Sequence, residues 1–157
     1  MKIDGRCHCG FITYAAEIDP EKVTICHCTD CQTLSGSAFR TVAPTLVDGF
    51  TLLSGEPKIY LKTAESGAER ALAFCPRCGT QLYGTSTGDG PKRHSLRVGA
   101  ILQRDMLTPK RQIWCRSEQP WINSLSTIPK KQVAANVGDM LRRITAEYPQ
   151  LATLAAE

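Results

Sequence analysis

The sequence predicts a mainly β protein built from antiparallel sheets. Three observations carry this expectation. The ordered-looking segments are short, and they alternate or carry β-branched and aromatic residues. Turn residues separate them at close intervals: Asp19-Pro20, Asp48-Gly49, Ser54-Gly55 and Gly88-Asp89-Gly90-Pro91. No helical pattern alternates with strands through residues 1–125, which argues against a βαβ fold.

In chain order, strands are expected over 11–18 and 23–26, on Ile12, Tyr14, Val23 and Ile25. A short helix over Thr29–Ser35 follows, stopped by Gly36, which tolerates the left-handed conformation at a helix end. Further strands are expected over 39–43, 50–53, 58–63, 70–74, 81–85, 94–101 and 111–115. From Lys131 onward, Val133, Val137, Leu141, Ile144, Tyr148 and Leu151 fall at steps of three or four, which is one helix face. Pro149 ends or kinks that helix. The expected organisation is a β domain over 1–128 and a helical extension over 129–157, packed on the domain or on a partner subunit. The extension permits a homodimer without requiring one.

Composition removes several classes. The 157 residues are 42% hydrophobic and 22% charged, which excludes global disorder. No apolar run approaches the roughly 20 residues that span a bilayer. The start, Met1 to Arg6, lacks the apolar stretch of a signal peptide, so a cytoplasmic location is expected. The net charge of +4 is carried partly by dispersed doublets such as Lys92-Arg93 and Lys110-Arg111. Without interleaved aromatics these make no nucleic-acid platform.

The eight cysteines need a reason, since disulfides rarely persist in a reducing compartment. Seven fall in three clusters: Cys7-His8-Cys9-Gly10, Cys26-His27-Cys28-Thr29-Asp30-Cys31 and Cys75-Pro76-Arg77-Cys78-Gly79. In a strand, residues two apart share a side, so Cys7 and Cys9 face one way while His8 faces the other. The same alternation turns His27 away from Cys26 and Cys28. Cys75-x-x-Cys78-Gly79 is a knuckle that supplies half of a tetrahedral thiolate site. Thiolate-rich tetrahedral sites favour zinc, with iron second.

A closed structural zinc takes four protein ligands, and a reactive one keeps a position open. Seven clustered cysteines divide as four and three. Two pairs close one site, and Cys26, Cys28 and Cys31 hold a second metal with a free position. Spacing leaves the pairing open, and His8, His27, Asp30 or Cys115 could complete the second site. With seven thiolates and two Zn²⁺ the formal charge drops to about +1. Cys115, beside Trp114 on an expected strand, reads as a small buried hydrophobe. His94, after Lys92-Arg93, reads as exposed. Gly84-Thr85-Ser86-Thr87-Gly88 mimics a nucleophile elbow, but Asp89-Gly90-Pro91 prevents the helix that motif needs, so it reads as a loop.

Taken together, Gly5 to Gly10, Cys26 to Cys31, Leu34 to Phe39 and Phe74 to Gly79 resemble the glutathione-dependent formaldehyde-activating family. Val98 to Leu102 and Pro120-Trp121 echo it more weakly. The resemblance implies a β-tent fold of antiparallel sheets pinned by zinc. It implies a structural zinc on Cys7, Cys9, Cys75 and Cys78, and a second, more labile zinc on Cys26, Cys28 and Cys31 where the chemistry occurs. The implied activity is condensation of formaldehyde with glutathione to S-hydroxymethylglutathione, classed with the carbon–sulfur lyases. Glutathione or a related small thiol is the implied partner, and Arg40, Arg77, Arg93 and Arg97 are candidates to hold its carboxylates. Two features depart from the family pattern: Gln112 stands where relatives often carry His, and the helical tail extends past Trp121. Two other function classes fit the same cysteines. One is a non-catalytic zinc-stabilised protein-binding module, as in the centromere-associated relatives. The other is a thiol-based metal or redox sensor.

Overall fold

A computed structural model describes residues 1–64 and 67–131 of the protein. The tail expected to be helical, from 132 onward, lies outside the described residues. By compactness the chain divides into Met1–Ile122 and Asn123–Glu157. The first unit is mainly β, as expected. Its strands are β1 (Lys2–Arg6), β2 (Thr13–Ile18), β3 (Thr24–Cys26), β4 (Arg40–Ser54), β5 (Lys58–Thr63), β6 (Glu69–Phe74), β7 (Gln81–Ser86), β8 (Ser95–Arg97) and β9 (Arg111–Ile113). Helix α1 (Thr29–Ser35) lies where expected, and Gly36 ends it at φ 63°.

The sheet runs β1-β2-β4-β8-β7-β6-β5, with β3 on β4 and β9 on β3. All pairings are antiparallel except β3 with β9. Alternation buries one face: Ile3 on β1, then Tyr14 and Ile18 on β2, meet Leu82 and Leu96 from the other side of the sheet path. Tyr14 donates its hydroxyl to the Ala100 carbonyl at 3.3 Å. Its ring lies where a Cβ on Gly5, its cross-strand partner, would have to go.

Five expectations change. β1 is a strand the hydrophobic pattern does not announce, because Ile3 is its one large apolar residue. The two strands expected over 39–43 and 50–53 are one 15-residue strand. Asp48 takes φ 54° inside β4 (the left-handed region), and the register against β2 shifts between Ala16 and Ile18. The turn chemistry of Asp48-Gly49 is therefore spent on a bulge. The strand expected over 94–101 ends at Arg97, and a 3-10 turn follows over Val98–Ala100. The elbow-like stretch begins as the end of β7 rather than as loop; no helix follows it. His94 is half-buried, not exposed, stacked on Phe50 at 4.3 Å and edge-on to Tyr83 at 4.9 Å. No helix among the described residues is long and apolar enough to cross a membrane.

Candidate metal centres

The first cluster joins two turns far apart in sequence. β1 ends at Arg6, and the chain reverses through Cys7 to Gly10, closed by Gly10 N–H to the Cys7 carbonyl at 3.1 Å. Gly10 sits at φ 77°, a conformation other residues rarely take. Between β6 and β7 the second knuckle closes in the same way, Gly79 N–H to the Cys75 carbonyl at 3.0 Å with Gly79 at φ 71°. The four thiols of Cys7, Cys9, Cys75 and Cys78 lie within 4.8 Å of one another. Cys7 and Cys9 Sγ are 3.5 Å apart, Cys9 and Cys75 Sγ 3.8 Å. A tetrahedron with Zn–S of about 2.3 Å places its sulfurs about 3.8 Å apart, so this donor set fits a zinc ion.

Thr80 ties the two knuckles together. Its Oγ1 accepts the His8 N–H at 3.0 Å and lies 3.2 Å from Cys78 Sγ. That hydroxyl is the first cause holding the Cys78 thiol down at about 5, well inside the thiolate range at neutral pH. The Ile12 N–H points at Cys7 Sγ at 3.2 Å. Hydrogen bonds of this kind favour the deprotonated sulfur that a metal needs.

The second cluster is local. β3 delivers Cys26, Cys28 caps α1 by accepting the Cys31 N–H on Sγ at 3.4 Å, and Cys31 lies in the first turn. The three thiols lie within 4.8 Å of one another, with Cys26 and Cys28 Sγ 3.5 Å apart. A hydrogen bond from Cys31 is the first cause lowering the Cys26 thiol to about 5, and the same contact pushes Cys31 up. His27 turns away, as the alternation predicts, and joins neither cluster.

These thiols open on a cavity of about 280 Å³. Arg40 and Arg97 line it, joined by Arg70, Lys62, Ile113 and Trp114. Arg40 lies opposite Cys26 in the β3–β4 ladder and is only 6% exposed. Its Nη2 is buried without a hydrogen-bond partner among the described residues. Arg97 is held by the Gln81 Oε1 at 3.1 Å and the Ser95 carbonyl at 3.2 Å. Burial, and then the charge of Arg40, lower its guanidinium to about 9. Buried Arg40 and partly buried Arg97 beside the thiols give the cavity a positively charged wall for an incoming anion. Lys62 pairs with Asp30 on the same wall.

The stretch over residues 2–117 matches the model of the family described as "Glutathione-dependent formaldehyde-activating enzyme". The chain belongs to this family. A curated relative, an uncharacterized lyase of Schizosaccharomyces pombe, is 32% identical over 80 residues, covering 51% of this chain and 55% of that protein. The match thus spans about half of each. A crystal structure of a Rhodobacter sphaeroides protein superposes with TM-score 0.53 at 17% identity, covering 70% of this chain and 99% of that one. That likeness shows the fold.

Within this glutathione-dependent formaldehyde-activating family member, the arginine candidates separate. Arg40 and Arg97 reach the cavity, whereas Arg77 lies over the Phe11 ring at 3.6 Å and Arg93 is not among the cavity's lining residues. Sequence reasoning missed Arg70 and Lys62, because strand pairing across the sheet brings them in. Thr80 was also missed, although a hydroxyl directly after Cys-x-x-Cys-Gly is a readable signal. Cys115 is not the buried hydrophobe its neighbour Trp114 suggests. It is exposed in a 3-10 turn over Cys115–Ser117, because β9 stops at Ile113 and Trp114 turns the chain at φ 60°.

Proposed function

We propose that this protein is a zinc-dependent enzyme of the carbon–sulfur lyase type that acts on glutathione or a similar small thiol, with S-hydroxymethylglutathione formed from formaldehyde and glutathione as its reaction. One observation carries the reading: Cys26, Cys28 and Cys31 share a single cavity with the guanidiniums of Arg40 and Arg97. Cys7, Cys9, Cys75 and Cys78 would hold one zinc with a complete set of four thiolates. Cys26, Cys28 and Cys31 would hold the other with one position free. A zinc held on three thiolates supplies a Lewis-acid position that favours the deprotonated form of an incoming thiol.

The chain's own residues do the rest. Arg40 and Arg97 present donors to substrate carboxylates in a site where burial strengthens charge-assisted hydrogen bonds. Ile113 and Trp114 add an apolar side to the same cavity. In the reaction the substrate sulfur adds to the formaldehyde carbon, a C–S bond forms, and the carbonyl π pair moves to oxygen. The proton that the thiol gave up to water on becoming a thiolate is matched by one that the new alkoxide takes from water, so the addition is proton-neutral overall. Arg40 Nη2, with no partner of its own, is a donor for the developing alkoxide. Bringing two small reactants together in one cavity contributes through positioning.

The test is product formation above the uncatalysed rate, followed by NMR with zinc-loaded protein. The reading expects turnover that Cys31→Ser abolishes while the first cluster keeps its metal. Equal rates for the two proteins would overturn it. A chain that takes up one metal and ignores glutathione would instead favour the binding-module reading.

A further inference from the structure

We infer that His27, Cys115 and Glu118 form a third metal site, for a zinc-class divalent cation, on the side of the β3 end that faces away from Cys26 and Cys28. A ring nitrogen of His27, the Cys115 thiol and a Glu118 carboxylate oxygen lie within 4.8 Å of one another. None of the three is used by either thiolate cluster.

The imidazole is prepared for the role. His27 is 1% exposed. Its Nε2 lies 2.7 Å from Gln112 Oε1. An amide oxygen only accepts, so Nε2 carries the proton and Nδ1 keeps its lone pair. Nδ1 is buried with no hydrogen-bond partner among the described residues. A buried polar atom without a partner costs free energy, and a cation removes that cost. Metal-bound histidines regularly donate their other N–H to a carbonyl or carboxylate, and Gln112 provides that support here.

The backbone is also arranged to bring the other two groups to His27. Gln32 Nε2 donates to the His27 carbonyl and to the Ser117 carbonyl, each at 2.7 Å, so one amide clamps the two segments side by side. Gln119 Nε2 braces that clamp by donating to Gln32 Oε1 at 2.8 Å. Just before Cys115, Trp114 sits in the left-handed region at φ 60°, a conformation that costs energy in a bulky residue. The turn after it carries Cys115 and leads to Glu118.

One imidazole, one thiolate and one carboxylate make a tetrahedral donor set with a fourth position open, and the two anions balance a divalent charge. The mix of nitrogen and sulfur selects zinc or cobalt over magnesium or calcium. The exposure of Cys115 gives the ion an entry path.

The test loads the full-length chain with Zn²⁺, removes excess by gel filtration and measures zinc per chain. Cys115→Ala and Glu118→Gln are each expected to lower the count by one. The same loss is expected in a Cys26→Ser/Cys31→Ser background, where the neighbouring thiol cluster is disabled. Far-UV circular dichroism should stay unchanged. With Co²⁺ in place of Zn²⁺, Cys115→Ala should remove intensity from the sulfur-to-cobalt charge-transfer bands. Equal counts for parent and variants would overturn the site. So would a loss seen only while Cys26 and Cys31 are intact, since that loss would belong to the neighbouring cluster.

Discussion

Cys26 and Arg40 stand opposite each other in the β3–β4 ladder, so a thiol and a buried guanidinium share one rung of the sheet. Among the described residues, the guanidinium forms no ion pair with a carboxylate. Its counter-charge comes from the thiolates and from whatever anion enters the cavity.

Arg40→Met is therefore expected to raise KM for glutathione and, by removing the alkoxide donor, to lower kcat, so that kcat/KM falls by about 10- to 100-fold or more, since hydrogen bonds to charged groups are worth about 1.5–3 kcal/mol. Arg77→Gln should leave KM unchanged, because Arg77 packs on Phe11 away from the cavity. Steady-state kinetics on the two variants compares them directly. Equal KM values would remove Arg40 from the binding site.

The thiols should titrate unequally. In metal-free protein, alkylation of Cys26 should switch on near pH 5, while Cys31 stays unreactive through and above the ordinary thiol range. Labelling at a series of pH values, read by mass spectrometry, checks the order. The sign for stability follows from linkage. The lowered Cys26 contributes stability that is fully present above its unfolded value of about 9 and is lost as pH falls through about 5. The raised Cys31 works the other way, and its contribution fades as pH climbs above the ordinary thiol value.

Cys75→Ser and Cys31→Ser should differ in kind. The first removes a ligand that joins the Cys7–Gly10 turn to the β6–β7 turn, so the folded β unit is expected to be lost or severely destabilised. The second removes a ligand from a cluster contained within six residues of chain, so the sheet should persist. Thermal melts of the zinc-loaded variants distinguish these outcomes.

Gly5→Ala tests the packing of the sheet edge. A Cβ there would fall 1.9 Å from Tyr14 Cζ, and Tyr14 is fully buried, so the backbone must move. Overpacking of this kind costs about 1–3 kcal/mol. A lowered urea midpoint with an unchanged slope is the expected signature.

How legible these features were depends on how local their causes are. The three cysteine clusters could be read directly, because ligand spacing is a property of a few consecutive residues. Which knuckle meets which depends on β2, β4, β8 and β7 lying side by side, and no local signal encodes that. Asp48-Gly49 looked like the end of a strand because its conformational preference is the same in a turn and in a bulge. Pairing with β2 on one side decided for the bulge. Arg40 and Arg97 were separable from Arg77 and Arg93 only once strand register was known. Cys115 was misplaced because burial was inferred from a hydrophobic neighbour, whereas β9 ends before Trp114.

The separation of the ligands along the chain has a consequence for how metal is acquired. Cys26, Cys28 and Cys31 can chelate an ion in an unfolded or half-synthesised chain, because closing so short a loop costs little entropy. Cys9 and Cys75 are 66 residues apart, and their thiols meet only after the intervening strands have found their order. Metal in the compact cluster therefore says nothing about whether the chain has matured. Metal in the long-range cluster certifies it, and metal shortage during synthesis would act as an assembly defect before it acted as a loss of chemistry.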